Sequence, residues 1–415
     1  MKTKKIFNMA CSMLLLAGAV GLSACSKDSE GDFEGLDSSY TFSASGDEPG
    51  TGGGGDNTQG NTQAGIVTAG EWCDLNHWPF WSKLMLSNDF AEKSDYWKFY
   101  TNNRVCVKVT DEKGAALAGI SVKLLRNNTT LWTAITDNHG LAECWAGFYQ
   151  KENVDATNLQ VSVNGIVMKG HPMVCPWDST SIENDDKPHL PTAVNHYVCT
   201  KAPKTKQQAD IAFIVDATGS MSDEINFLKS DLTDIISKVK SVRPSLTMRT
   251  AALFYRDEGD EYLTRHSDFA TDIDKTKKFV DKQSAEGGGD YPEAVHTALE
   301  HMLQDLSWNT EAHARLAFLI LDAPAHHETD IISSLQKSVA TCAQQGIRLI
   351  PVAASGVDKN TEFMLRFFAI ATGGTYVFIT NDSGVGYDHI AASVGKYEVE
   401  LLNHLIIRLI DYYTE

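Results

Sequence analysis

DIAFIVDATGSMS (residues 210–222) runs an apolar strand into an Asp-x-Thr-x-Ser loop. Asp216, Thr218 and Ser220 stand at alternate positions, so a loop curling at the end of a strand turns three side-chain oxygens toward one point. Hard oxygen ligands suit Mg2+, Mn2+ or Ca2+. Two of the three are neutral hydroxyls, which leaves a bound ion partly uncompensated and able to attract an acidic group from another molecule. The spacing predicts a divalent-cation site built to bind.

Two later segments extend the reading. Gly287-Gly288-Gly289-Asp290 precedes a helix with Val295, Leu299, Met302, Leu303 and Leu306 at helical spacing, which puts Asp290 at a loop-to-helix junction. Arg315 to Leu321 (RLAFLIL) is a second buried-type strand, and it ends at Asp322. Around these pieces, strands expected at 210–215, 247–255, 261–269, 315–321, 347–353 and 375–379 alternate with helices at 272–284, 291–306, 330–344 and 360–371. Such repetition with buried runs predicts an α/β fold, a doubly wound, mostly parallel sheet. Ligands of that architecture collect at the carboxyl ends of the strands, where Asp216, Asp290 and Asp322 emerge. The acidic hairpin RDEGDEY, with Asp257, Glu258, Asp260 and Glu261, is expected on the same face.

DATGSMS, GGGDYPEA and LDAPAHH, in this order and spacing, resemble the three motifs of the von Willebrand factor A domain, with Thr218 in place of the first Ser of a DxSxS loop. The resemblance covers about residues 209–385. It implies a metal-ion-dependent adhesion site in which Thr218 and Ser220 ligate the cation directly and Asp216, Asp290 and Asp322 do so directly or through water. Each residue also has a structural reading. Asp290 with Glu293 makes a capping-box-like helix start, and Ser220 or Ser222 serves as an N-cap.

The N-terminus carries its own signals. Lys2, Lys4 and Lys5 precede an apolar run from Met9 to Leu22, and Leu22-Ser23-Ala24-Cys25 looks like a lipobox. Residues 1–24 read as a signal peptide, with Cys25 the lipidated residue and the only membrane anchor. Ser26-Lys27-Asp28-Ser29-Glu30 resembles the acidic export signal of lipoproteins that face outward on the outer membrane. Residues 25–65, rich in Gly, Ser, Asp, Thr and Asn, read as a flexible tether.

Residues 66–203 differ in character. Short strands at 105–109, 120–124 and 131–136, with turns at 111–114 and 137–140, predict an antiparallel β-sandwich. VTDEKGAALAGISVKL followed by TDNHGLAE resembles the carboxypeptidase-regulatory-like, transthyretin-like module. A last amphipathic helix at about 393–413, within a C-terminal segment 386–415, is expected to dock on the A domain.

Composition bounds the function. With 42% hydrophobic residues in 415, two globular domains with their own cores are expected. A formal charge of −18 argues against nucleic acid and against an anionic lipid surface as partners. Cys73, Cys106, Cys144, Cys175 and Cys199 fall in the sandwich region, and some are expected to pair in an oxidising envelope. No nucleotide-binding GxxxxGK[ST], HExxH or DxDxT motif is present, and no catalytic residue stands out, so an enzyme ranks last. Seven of the eight Trp lie between residues 72 and 177, which reads either as a sugar-stacking platform or, by preference, as packing. The leading expectation is a surface lipoprotein that binds a protein or matrix ligand through a cation, with glycan binding by the Trp-rich sandwich as the alternative.

Overall fold

Ile211 to Val215 are apolar without exception, and the structure buries all five in an eight-stranded sheet. The chain is described, as a computed structural model, over residues 64–152, 155–176, 193–386 and 388–415. The segments read from sequence as signal peptide and tether, with Cys25, lie outside the described residues up to residue 63.

In chain order the elements are β1 (Thr68–Trp72), α1 (Trp78–Met85), α2 (Asn88–Trp97), β2 (Asn102–Thr110), β3 (Ser121–Arg126), β4 (Thr129–Ile135), β5 (Leu141–Gly147), β6 (Leu159–Val163), β7 (Ile166–Val167), β8 (Val194–Val198), β9 (Lys206–Asp216), α3 (Ile225–Val242), β10 (Thr247–Tyr255), β11 (Thr264–Ala270), α4 (Ile273–Val280), α5 (Val295–Asp305), β12 (Ala312–Leu321), α6 (Thr329–Gln345), β13 (Ile347–Ala353), α7 (Lys359–Thr372), β14 (Tyr376–Ile379), β15 (Glu400–Leu401) and α8 (Leu402–Thr414). The large sheet runs β11-β10-β9-β12-β13-β14-β1-β15. Its five central strands are parallel, and β11, β1 and β15 pair antiparallel to their neighbours. The period-2 alternation of β9 sends Ile211, Phe213 and Val215 into the layer of α3 and α8. Ala212 and Ile214 face the layer of α5, α6 and α7. Chain order reverses between β9 and β12, which opens a crevice at their carboxyl ends.

The N-terminal region departs from expectation in three ways. Residues 66–203 are not one sandwich, because β1 joins the large sheet beside β14, with Ala69 opposite Ile379 and Trp72 opposite Tyr376. All of β14 is buried, and pairing with β1 satisfies backbone groups that an open edge would leave unmet. The rest forms a three-stranded sheet, β5-β2-β8, and a four-stranded sheet, β4-β3-β6-β7, and the β2–β8 pair is parallel rather than antiparallel. Nor are there two separate cores. One apolar cluster runs from these smaller sheets into the α7 layer, with Phe99 stacked on Phe367 at 4.7 Å, Phe148 tilted against it at 4.3 Å, and Trp81 and Phe90 against Phe363 at 6.0 and 5.8 Å.

This seam explains the tryptophans. Trp72, Trp78, Trp81, Trp97, Trp132 and Trp145 are all buried, so none of these six offers a stacking face to a glycan; Trp177 lies outside the described residues. The six described cysteines are free thiols rather than paired. The C-terminal helix begins at Leu402, later than expected, and buries Leu405, Ile406, Leu409 and Ile410 against the sheet and α3.

At the centre of the seam, Arg366 is wholly shielded from water. Its Nε and Nη2 donate to the two oxygens of Asp74 at 2.9 and 2.6 Å, and its Nη1 donates to Glu362 at 3.2 Å and to the Ser393 carbonyl at 2.7 Å. Asp74→Ala leaves that guanidinium with only one carboxylate. Because breaking a buried pair costs about 3–5 kcal/mol, the variant is expected to lose about 3 kcal/mol in urea unfolding; a loss below about 1 kcal/mol is the range of exposed pairs and contradicts the assignment.

Candidate metal centre

β9 delivers Asp216 to the crevice fully buried. The loop after it closes on this carboxylate. Oδ1 accepts from the Thr218 backbone N–H at 2.8 Å and from its hydroxyl at 2.7 Å, and Oδ2 accepts from the Tyr255 hydroxyl at 3.1 Å. Thr218 Oγ1 stands 3.1 Å from Ser220 Oγ. The alternate-position oxygens of the motif are therefore adjacent, with Asp216 and Thr218 buried and Ser220 exposed.

The second loop is laced to the first. The Gly219 N–H donates to the Gly287 carbonyl at 3.0 Å, and the Glu286 N–H donates to that of Ala217 at 3.0 Å. Gly287 and Gly288 take φ of 80° and 71°, the left-handed region that glycine enters without strain. A Cβ on Gly287 would collide with the Asp260 carboxylate, and one on Gly288 would stand 3.0 Å from Glu293 Oε1. Past the glycines, Glu293 is strapped to the third loop by its N–H to the Pro324 carbonyl, 2.9 Å, and by a bridge to Ala325. This strap holds the chain out of helix until Val295, beyond the expected start at 291.

The same geometry selects which acid turns inward. Asp290 is exposed and makes no hydrogen bond to Asp216, Thr218, Ser220 or Asp322. Glu293, read from sequence only as a capping partner, is 2% exposed beside Thr218, and its Oε2 has no partner. The signal that locates it is the Pro-Glu after Asp290, a glutamate too close to the glycine turn to serve the helix surface. From the third loop, Asp322 is 4% exposed and its Oδ1 has no partner.

The acidic hairpin reaches this face as expected. Asp260 Oδ2 accepts from the Gly288 N–H at 2.9 Å, and Asp257 Oδ1 lies 2.9 Å from His326 Nε2. His327 is not a free rim residue: it stacks on Tyr96 of α2 at 3.4 Å.

Burial, with little to offset it, dominates the electrostatics. It pushes Asp216 above the usual carboxylate range against the pull of Thr218 and Tyr255. Asp322 is raised by burial and then by Asp216, with Ser220 opposing. Glu293 is raised to about 9 by burial and then by Asp216, Asp257 and Asp322. Among the described residues no group of three His, Cys, Asp or Glu stands in metal-holding geometry. An ion here would rely on a mixed set, the Thr218 and Ser220 hydroxyls with Asp216 and Asp322. That set fits a hard cation chemically, since the unpartnered Asp322 oxygen and three crowded carboxyl groups lack positive charge.

Raised carboxyl pKa values fix a sign. Their contribution to stability is complete below the ordinary value near 4 and is lost as pH rises through the shifted values, up to about 9 for Glu293. The chelator-treated protein is expected to melt several degrees lower at pH 9 than at pH 5, with saturating Mg2+ narrowing the gap. Scanning fluorimetry that gives the same pH trend with Glu293→Gln and Asp322→Asn in place would separate the effect from this cluster.

Residues 210–362 match the family described as von Willebrand factor A domain. A stretch of 132 residues, 32% of this chain, is 30% identical to a putative ariadne-like RING finger protein of Acanthamoeba polyphaga mimivirus, covering 13% of it. Another of 128 residues, 30% of this chain, is 30% identical to the alpha-protein kinase vwkA of Dictyostelium discoideum, covering 20% of it. The chain thus spans a fifth or less of the length of these relatives. Among solved structures, the conserved hypothetical protein BatB from Bacteroides thetaiotaomicron aligns over 49% of this chain and 98% of its own, at 12% identity and a TM-score of 0.35. Residues 210–362 of this chain are a von Willebrand factor A domain.

Proposed function

We propose that this protein is a lipid-anchored surface receptor that binds a protein or matrix ligand through a divalent cation on the crevice face of its A domain. The observation that carries the reading is the unpartnered oxygen of Asp322 beside a loop whose two hydroxyls stand 3.1 Å apart. Thr218, Ser220, Asp216 and Asp322 would hold the ion, Mg2+ or Mn2+ by preference and Ca2+ as an alternative. Glu293 supplies negative charge close by. When bound, the ion offers a partner an open coordination position. Asp290, exposed on the rim with the hairpin acids, then belongs to the ligand-facing surface.

The crowding of acids bears on the partner. Each carboxylate near the ion raises cation affinity and lowers the field left for an incoming acid. With Glu258 and Glu261 exposed on the rim and Asp257 and Asp260 behind them, a neutral or basic protein surface suits this face better than a carboxylate. We place the protein on the outer membrane through Cys25, facing outward, on the lipobox and the acidic signal after it.

Asp216→Ala is expected to abolish tight Mg2+ or Mn2+ binding in calorimetric titration and to remove EDTA-sensitive capture of protein ligands. Glu293→Gln should weaken cation affinity about tenfold, and Asp290→Asn less than about threefold. The reverse order of those two would return Asp290 to the ion. Cys25→Ala is expected to free the protein from membranes, and recovery of the variant in the carbonate-washed pellet would count against the anchor.

A further inference from the structure

Arg348 opens β13 and Thr375 precedes β14, so both lie at the amino ends of the parallel strands, the length of the sheet away from Asp216. There the end of β1, the β4–β5 turn and α8 enclose a cleft of about 230 Å³. That is below the roughly 300–1,000 Å³ of drug-sized sites, yet room for several waters or one small molecule.

Its walls carry both signs of charge. Glu71 is paired with Arg408 at 3.3 Å. Arg348, 5% exposed, is not paired: its hydrogen bonds go to the carbonyls of Thr372 and Ile135, and among the described residues no carboxylate reaches it. Arg315, whose side chain likewise bonds only carbonyls, is near enough that after burial it is Arg348 that lowers its pKa most. Thr375 is 2% exposed and lines the cleft, yet its hydroxyl has no partner. Asp137 uses one oxygen to hold the turn, accepting from the His139 and Leu141 N–H groups at 2.9 and 2.8 Å. Its other oxygen has no bond among the described residues.

A buried guanidinium bonded only to carbonyls, with no counter-charge, and a buried hydroxyl with no partner are costly, and a carboxylate answers both. A simple anion would also meet Glu71 and Asp137, and a simple cation would meet Arg348. A molecule carrying both charges meets each with its opposite. We propose that this cleft binds a small zwitterion of the free amino-acid class, its carboxylate received by Arg348 and Thr375 and its ammonium by Asp137. The site is separate from the cation face and stands whether or not that face binds metal.

The test is calorimetry on the full chain with free amino acids, and with acetate, ethylammonium and glucose as probes of each half and of a neutral polyol. Saturable one-to-one binding of an amino acid, absent for acetate and ethylammonium, is expected. Thr375→Val removes an unsatisfied hydroxyl, keeps the fold and should weaken binding at least about tenfold. Arg348→Gln should abolish it, and Asp216→Ala should leave it unchanged. No amino acid bound up to about ten millimolar, binding indifferent to Thr375→Val, or binding of glucose alone would each overturn the proposal and leave the cleft a water-filled seam.

Discussion

Arg366 has no route to water, and the arrangement of this chain depends on how its charge is answered. One carboxylate comes from its own helix, Glu362. The other, Asp74, lies 292 positions earlier in the chain. A buried guanidinium with only part of its charge answered is costly, so the N-terminal segment is held at this point in the folded chain. Once there, it brings β1 to the edge of the large sheet and sets Trp81 and Phe90 over the guanidinium at 5.1 and 5.6 Å. The aromatic pairs with Phe363 and Phe367 then add small individual terms that sum across a continuous interface. The smaller sheets and the A domain become one body for this reason.

That rigidity bears on the crevice. The third loop carries Asp322 and is held on both sides, by His326 to the hairpin and by His327 to Tyr96 of α2. The second loop is held to it through Glu293. Three carboxyl groups are thereby fixed in a dry pocket, where burial raises the proton affinity of all three and Asp216 adds to that of Asp322 and Glu293. A fold that keeps such a cluster stores unfavourable electrostatics, and a positive ion is the simplest way to relieve it.

The sequence by itself determined the α/β frame of residues 210–362 and the course of the loops at its crevice. Strand β12 contains the apolar run Leu316–Leu321, because a strand parallel to both neighbours and buried on both faces leaves little freedom in composition. The motif loops were legible for a similar reason: Asp216, Thr218 and Ser220 are local, and alternate spacing suffices to gather them. The acidic hairpin followed from strand direction alone.

Only the tertiary structure decided what depended on distant partners. Asp290 and Glu293 are three residues apart in one loop, and the strap from Glu293 to Pro324 chooses between them. β1 reads like any short strand until β14 offers its edge. The tryptophans look alike in composition, and only packing puts Trp81 against Phe363 of α7 and Trp132 against Phe148. Local pattern fixes which residues share a face, but pairing across hundreds of residues is set by which buried charges and edges must be satisfied, and that constraint exists only once the chain is packed.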